Sequence, residues 1–132
     1  MQKEKLDTGP LGEAIAAKYL TNHGFTIIER NFKLSFGELD LVARNGDIIH
    51  FVEVKTVSHE TKEFLQASAR KPLWRPEELI HNRKLHKLRQ ISEGWCIANN
   101  YSGDVQLDGV AVRLVKASKY ATVTYFPNIF SD

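Results

Sequence analysis

Two β-rich runs separated by Asn45-Gly46, within FGELDLVARNGDIIHFVEVKT (36–56), constrain this chain more than any other feature. Asn-Gly between such runs is a strong hairpin signal, because a type I′ turn needs positive φ at both central residues. A two-residue loop at that dipeptide sets a register in which Arg44 faces Asp47, Val42 faces Ile49, Asp40 faces Phe51 and Glu38 faces Glu53. Side chains alternate across a strand, so Glu38, Asp40, Glu53 and Lys55 are expected on one face. Asp40 and Glu53 become diagonal neighbours, with Cα atoms roughly 7–8 Å apart. Like charges this close repel unless a cation lies between them. A three-residue loop would reverse the parity and turn Asp40 away from Glu53.

Around this hairpin the chain reads as an α-β-β-β-loop-α-β-β order, hence a mixed sheet flanked by helices. The 132 residues suit a single domain spanning 1–132, long enough to bury a core. Residues 1–8 are polar and expected to fray. A helix is expected from Pro10 to about His23, stopped by Gly24. Its apolar arc of Leu11, Ile15, Ala16, Ala17, Tyr19 and Leu20 also contains Glu13. An acid there either complements the positive end of the helix dipole or serves a site, since burying an unpaired carboxylate is expensive.

Phe25 to Phe32 reads as the first strand, ahead of the hairpin. Residues 57–75 show no clean period; KEFLQASARK could form a short helix, and the whole segment suits a mobile flap. Pro76-Glu77-Glu78 reads as the start of a helix running to about Asn99, with Leu85, Leu88, Ile91 and Trp95 as its apolar stripe. Val105–Val115 and Ala121–Phe126 complete the strands.

Charge is unevenly spread. Residues 55–89 carry nine Lys/Arg against four Asp/Glu, although the whole chain has a net charge of only +2. A basic middle beside an acid cluster fits a polyanion partner or a plain solvated helix face. A single cysteine, Cys96, excludes an internal disulfide framework and reads as a small buried apolar residue. With no signal-peptide pattern and no apolar run of membrane length, a cytoplasmic location is expected and a membrane partner is not. The histidines, His23, His50, His59, His81 and His86, show no metal-ligand spacing and read as non-catalytic.

Two acids on adjacent strands with a lysine two residues past the second suit phosphodiester hydrolysis. Hard oxygen ligands favour Mg²⁺, which needs only one or two carboxylates from the protein. Such a metal lowers the pKa of bound water and offsets charge on a phosphoryl oxygen, and a nearby lysine can orient the water. Taken singly, Glu53 and Lys55 could be a strand-end ion pair and Asp40 a solvent-facing strand residue.

Asp40, followed by Glu53-Val54-Lys55 after an apolar run, resembles the PD-(D/E)xK nuclease signature. The ordered set Gly12-Glu13, Arg30-Asn31-Phe32, Gly37-Glu38-Leu39-Asp40-Leu41 and Phe51-Val52-Glu53-Val54-Lys55-Thr56 resembles the YraN-like family of bacterial endonuclease-like proteins. The spacing of Glu13, Asp40 and Glu53 is also similar to that in archaeal Holliday-junction resolvases. Leu39 stands where the signature usually has proline, and Gln106-Leu107-Asp108 where the family tends to have Arg-Phe-Asp.

The resemblance implies a restriction-endonuclease-like αβββαβ core and a Mg²⁺- or Mn²⁺-dependent endonuclease acting on DNA, with RNA left open. By resemblance, Asp40 and Glu53 ligate the metal with the Val54 carbonyl, and Glu13 joins directly or through water. Lys55 positions the attacking water, and Arg83, Lys84 and Lys87 contact phosphates. Glu38 stays ambiguous between supporting and structural roles, and Asp108 between ligand and turn residue. The resolvase likeness also implies a homodimer. Two other classes compete: a nucleic-acid-binding module of nuclease fold with little or no catalysis, and an interaction subunit whose basic region takes an acidic partner.

Overall fold

The computed structural model describes residues 2–63 and 82–129, with no side-chain description for residues 2–8 and 82–84. The elements are α1 (Gln2–Asn22), β1 (Thr26–Leu34), β2 (Gly37–Asn45), β3 (Ile48–His59), α2 (Asn82–Ala98), β4 (Asp104–Val115) and β5 (Tyr120–Phe126). Most of the expected 57–75 flap and the expected helix start at Pro76 fall outside the described residues. Helix α1 extends N-terminal of its expected start and contains Pro10, where one rung of its hydrogen-bond ladder is missing.

The strands form one sheet in the order β1-β2-β3-β4-β5. All neighbours are antiparallel except β3 and β4, which run parallel from Ile48↔Asp104 to His59↔Val115. A parallel pair needs a crossover, and α2 lies within it. The ladder with β4 also corrects the expected start of the flap: residues 57–59 continue β3 rather than leaving the sheet.

The hairpin loop is Gly46-Asp47, flanked by the pair Asn45↔Ile48, rather than the expected Asn45-Gly46. Gly46 has φ +62° and Asp47 is not in the positive-φ region, so one glycine at the first loop position does what the Asn-Gly pair was expected to do. The slide moves the register by one residue on each strand. Parity is therefore kept, and one further step of the ladder beyond Leu41↔Val52 would set Asp40 directly opposite Glu53 instead of diagonal to it.

Adjacent strand residues divide between two cores. Ala16, Ala17 and Leu20 of α1 pack with Phe25, Leu41, Ala43, Val52, Val110 and Val112. Leu88, Ile91 and Trp95 of α2 pack with Leu39, Val42, Ile49, Phe51 and Leu107. Because Val52 and Phe51 are consecutive and point opposite ways, the helices lie on opposite faces of the sheet. Trp95 meets the Phe51 ring edge-on at 5.6 Å and donates its indole N–H to Glu29 at 3.0 Å. Among the described residues no helix is long and apolar enough to cross a membrane.

Gly12 sets how closely α1 approaches β3. A Cβ added there would lie 1.8 Å from Thr56 Oγ1 and 2.8 Å from Thr56 Cβ. Overpacking of this kind typically costs about 1–3 kcal/mol. Gly12→Ala is therefore expected to lower the urea midpoint by a corresponding amount, with a smaller loss in a Thr56→Ala background.

Candidate active site

The site forms where β2 and β3 part. Their ladder ends at Leu41↔Val52, and beyond it β3 continues with β4 alone. The amide of Val54, which a continuing ladder would offer to the β2 backbone, instead donates to Asp40 Oδ2 at 2.7 Å. The Asp40 side chain thus bridges the opening between the strands.

Regular alternation fails at this point. Leu39 and Val42 both pack towards α2, while Leu41 and Ala43 pack towards α1. Between Leu39 and Val42 the faces therefore slip by one residue. At the same level in β1, between the pairs Arg30↔Leu41 and Phe32↔Leu39, Asn31 has φ +55°. Asn tolerates that region better than most side chains do. The expectation that four charges share one sheet face through plain alternation is therefore corrected: Asp40 sits at the slip, in an opening that both faces can reach.

Four carboxylates act on one another here. Burial pushes the Asp40 carboxyl up to about 8, repulsion from Glu53 adds to this, the Val54 N–H bond opposes it, and Glu13 and Glu38 raise it further. Glu13 is also raised, first by burial and then by Glu38 and Glu53; its hydrogen bond with Asp40 and the Arg30 charge work against the rise. The acid on the inner side of α1 is thus part of the cluster, not simply a partner of the helix dipole. Asp40 and Glu53 are buried, while Lys55 is exposed at the strand edge. Glu38 does not face Glu53 as expected. It pairs with Lys33 across β1, with 4.0 Å between charged atoms and both side chains well exposed, and contributes only its charge.

Among the described residues, no three His, Cys, Asp or Glu side chains are placed to hold a metal ion as they stand. A cation that keeps most of its waters needs fewer ligands than that. A buried carboxyl held up by neighbouring acids is the electrostatic setting that such an ion relieves. The residues present fit a hydrated divalent ion on one or two carboxylates better than a closed cage. Two cavities, about 570 Å³ around Leu11, Ile15 and Tyr120 and about 730 Å³ around Arg89, Cys96 and Asn128, have none of these acids in their linings. The acid cluster lies at the strand opening instead. On α2, Lys87 is exposed, while the Arg83 and Lys84 side chains are outside the described residues.

Asp108 is neither a turn residue nor placed among the acids. It lies inside β4, fully buried. Its carboxylate accepts from His50 Nδ1 at 2.6 Å, Tyr125 Oη at 2.7 Å, Gln106 Nε2 at 2.9 Å and the Asn128 amide at 2.8 Å. Burial and the Asp108 charge raise the Tyr125 phenol well above its ordinary value. Gln106, read as a departure from the family pattern, is thus one of the Asp108 donors, and His50 is structural.

The fold and this acid cluster define a mixed α/β protein with a restriction-endonuclease-like core. The chain belongs to the UPF0102, or YraN-like, family: Uncharacterised protein family UPF0102 matches residues 12–112. It is 45% identical over 114 residues to a UPF0102 protein of Campylobacter fetus, covering 86% of this chain and 90% of that one. It is 32% identical over 126 residues to a UPF0102 protein of Dictyoglomus turgidum, covering 94% and 97%.

The two buried aspartates should respond oppositely to amidation. Between the ordinary carboxyl value of 3.8 and about 8, the folded chain holds a proton on Asp40 that the unfolded chain has lost. Stability without divalent metal therefore falls as pH rises through that window. Asp40→Asn is expected to flatten this slope and to raise the urea midpoint at pH 8 in chelator. Asp108→Asn turns an amide towards donors that need an acceptor and should cost about 2–4 kcal/mol, read from the same curves.

Proposed function

We propose that this protein is a divalent-metal-dependent nuclease that hydrolyses phosphodiester bonds in DNA. The observation that carries the reading is the Asp40–Val54 bond at the strand opening, which gathers the charges of Glu13, Asp40 and Glu53 next to Lys55. Asp40 and Glu53 would hold Mg²⁺ or Mn²⁺ with the Val54 carbonyl, and Glu13 would reach the ion directly or through water. Bound there, the ion would acidify a water and offset charge on a phosphoryl oxygen. Lys55, exposed at the same edge, orients the attacking water and balances negative charge developing on the phosphate. Lys87, with Arg83 and Lys84, supplies backbone contacts.

The competing reading is a nucleic-acid-binding module of the same fold without catalysis, in which the exposed Lys55 and Lys87 serve only to hold the backbone. A panel of labelled duplex, nicked, flapped and four-way DNA with Mn²⁺ separates the two. Wild type is expected to cut at least one of these, and Glu53→Ala to lose at least about 100-fold in rate. Salt-sensitive binding without cleavage of any member would establish the second reading instead.

A further inference from the structure

Strand β1 changes faces at the level of Asp40. Glu29 accepts the indole N–H of Trp95 and so faces α2. Arg30, the next residue, pairs with Leu41, whose side chain packs towards α1. Two residues further on, plain alternation would put Phe32 on that same α1 side. Instead Phe32 pairs with Leu39, and both pack towards α2, as does Leu34. One residue, Asn31, is therefore skipped in β1, just as Asp40 is skipped in β2. The register sets the two skipped residues opposite each other. At Asn31 the backbone leaves the extended region, with φ +55°.

Two slips at one level cancel where a single slip would not. A one-residue slip in one strand moves every later side chain to the other face. Because β1 and β2 slip together, paired residues stay on a common face on both sides of Asp40, and Phe32 remains with Leu39 in the α2 core. Asn31 is exposed on the edge strand, so what it contributes is a backbone conformation rather than packing. The left-handed region costs free energy for every side chain, least for Asn and Asp, and it persists where the surroundings enforce it, often at functional sites. Irregularity in an edge strand can also serve to deter pairing with other chains. β1 already has such a feature between Ile27 and Glu29. A second one, placed opposite Asp40, serves the acid.

We infer that Asn31 is a positioning residue for Asp40. Its left-handed backbone gives β1 the slip that β2 needs, and so frees the Asp40 carboxylate from either face to enter the opening and meet the Val54 amide. Asn31 itself touches neither metal nor substrate. With Asn31 extended, β1 would hold β2 to plain alternation, Asp40 would be drawn onto one face and the Val54 amide would lose its acceptor. The positioning stands on geometry; its use in catalysis rests on the nuclease reading above.

Amide hydrogen exchange followed by NMR in the full chain, without metal, tests this independently of cleavage. Asn31→Val strongly disfavours the left-handed region. It is expected to lower the protection of the Val54 amide, relative to that of Val112 in β4, at least about 10-fold. Asn31→Gly removes the whole side chain but adopts positive φ freely, and is expected to keep the wild-type ratio. If Asn31→Val fails to fold, Asn31→Ala makes the same comparison. A folded variant in which the Val54 to Val112 ratio is unchanged, including one in which both amides lose protection together, overturns the inference. So does a loss in Asn31→Gly as large as that in Asn31→Val. Cleavage of the DNA panel with Mn²⁺ is scored separately, and Asn31→Val is expected to lose about 10-fold in kcat with KM little changed. Selective loss at Val54 in a protein that cuts no DNA keeps the positioning and removes the nuclease reading. Cleavage by wild type with an unaltered Val54 ratio in Asn31→Val does the reverse.

Discussion

The hydrogen bond from the Val54 amide to Asp40 Oδ2, 2.7 Å long, is the contact on which the rest of the site depends. It satisfies a backbone donor at the place where β2 leaves β3. An unpaired buried amide there would cost about as much as a lost hydrogen bond. It also opposes the rise that burial and the neighbouring acids impose on the Asp40 carboxyl. Without it, β3 could leave β2 only by wasting a donor, or β2 could continue the ladder and close the opening. The bond therefore joins two requirements, completing the sheet and keeping an acid in place, in one side chain.

Around that bond the fold brings in charge from separate directions. Gly12 lets α1 approach β3 closely enough for Glu13 to enter the cluster. β3 brings Glu53 and Lys55, then continues along β4 towards Arg113 and His59. The buried Asp108 network ties β3, β4 and β5 together elsewhere in the sheet, holding the strands to which the site is attached.

Much of this was legible in the residues, because strand periodicity and turn chemistry act locally. The strands flanking Asn45-Gly46, the α1 acid on the apolar arc and the Asp40–Glu53 pairing all follow from spacing. Other features depend on tertiary context. The slip in alternation at Asp40 becomes visible only when Leu39, Leu41 and Val42 are assigned to their helices. Ser58 and His59 look like loop residues until β4 lies beside them. Asp108 and Arg113 each interrupt apolar runs in β4, and a lone charge in a strand reads as solvent-facing unless its burial is known. The signal was there in both cases, a polar residue among apolar neighbours, but it could not say which partner each would meet.

The sliding of the turn by one residue has a consequence for how this hairpin can vary. Moving the loop from Asn45-Gly46 to Gly46-Asp47 changed every cross-strand partner, yet left Asp40 and Glu53 together, because both strands moved by the same amount. A single inserted or deleted residue in one arm has no such compensation and would turn one carboxylate away from the other. Within either arm, then, the strand can lengthen or shorten without turning a carboxylate away only in steps of two. This arithmetic limit on drift is imposed by the pleat of the strand, not by the chemistry of the acids.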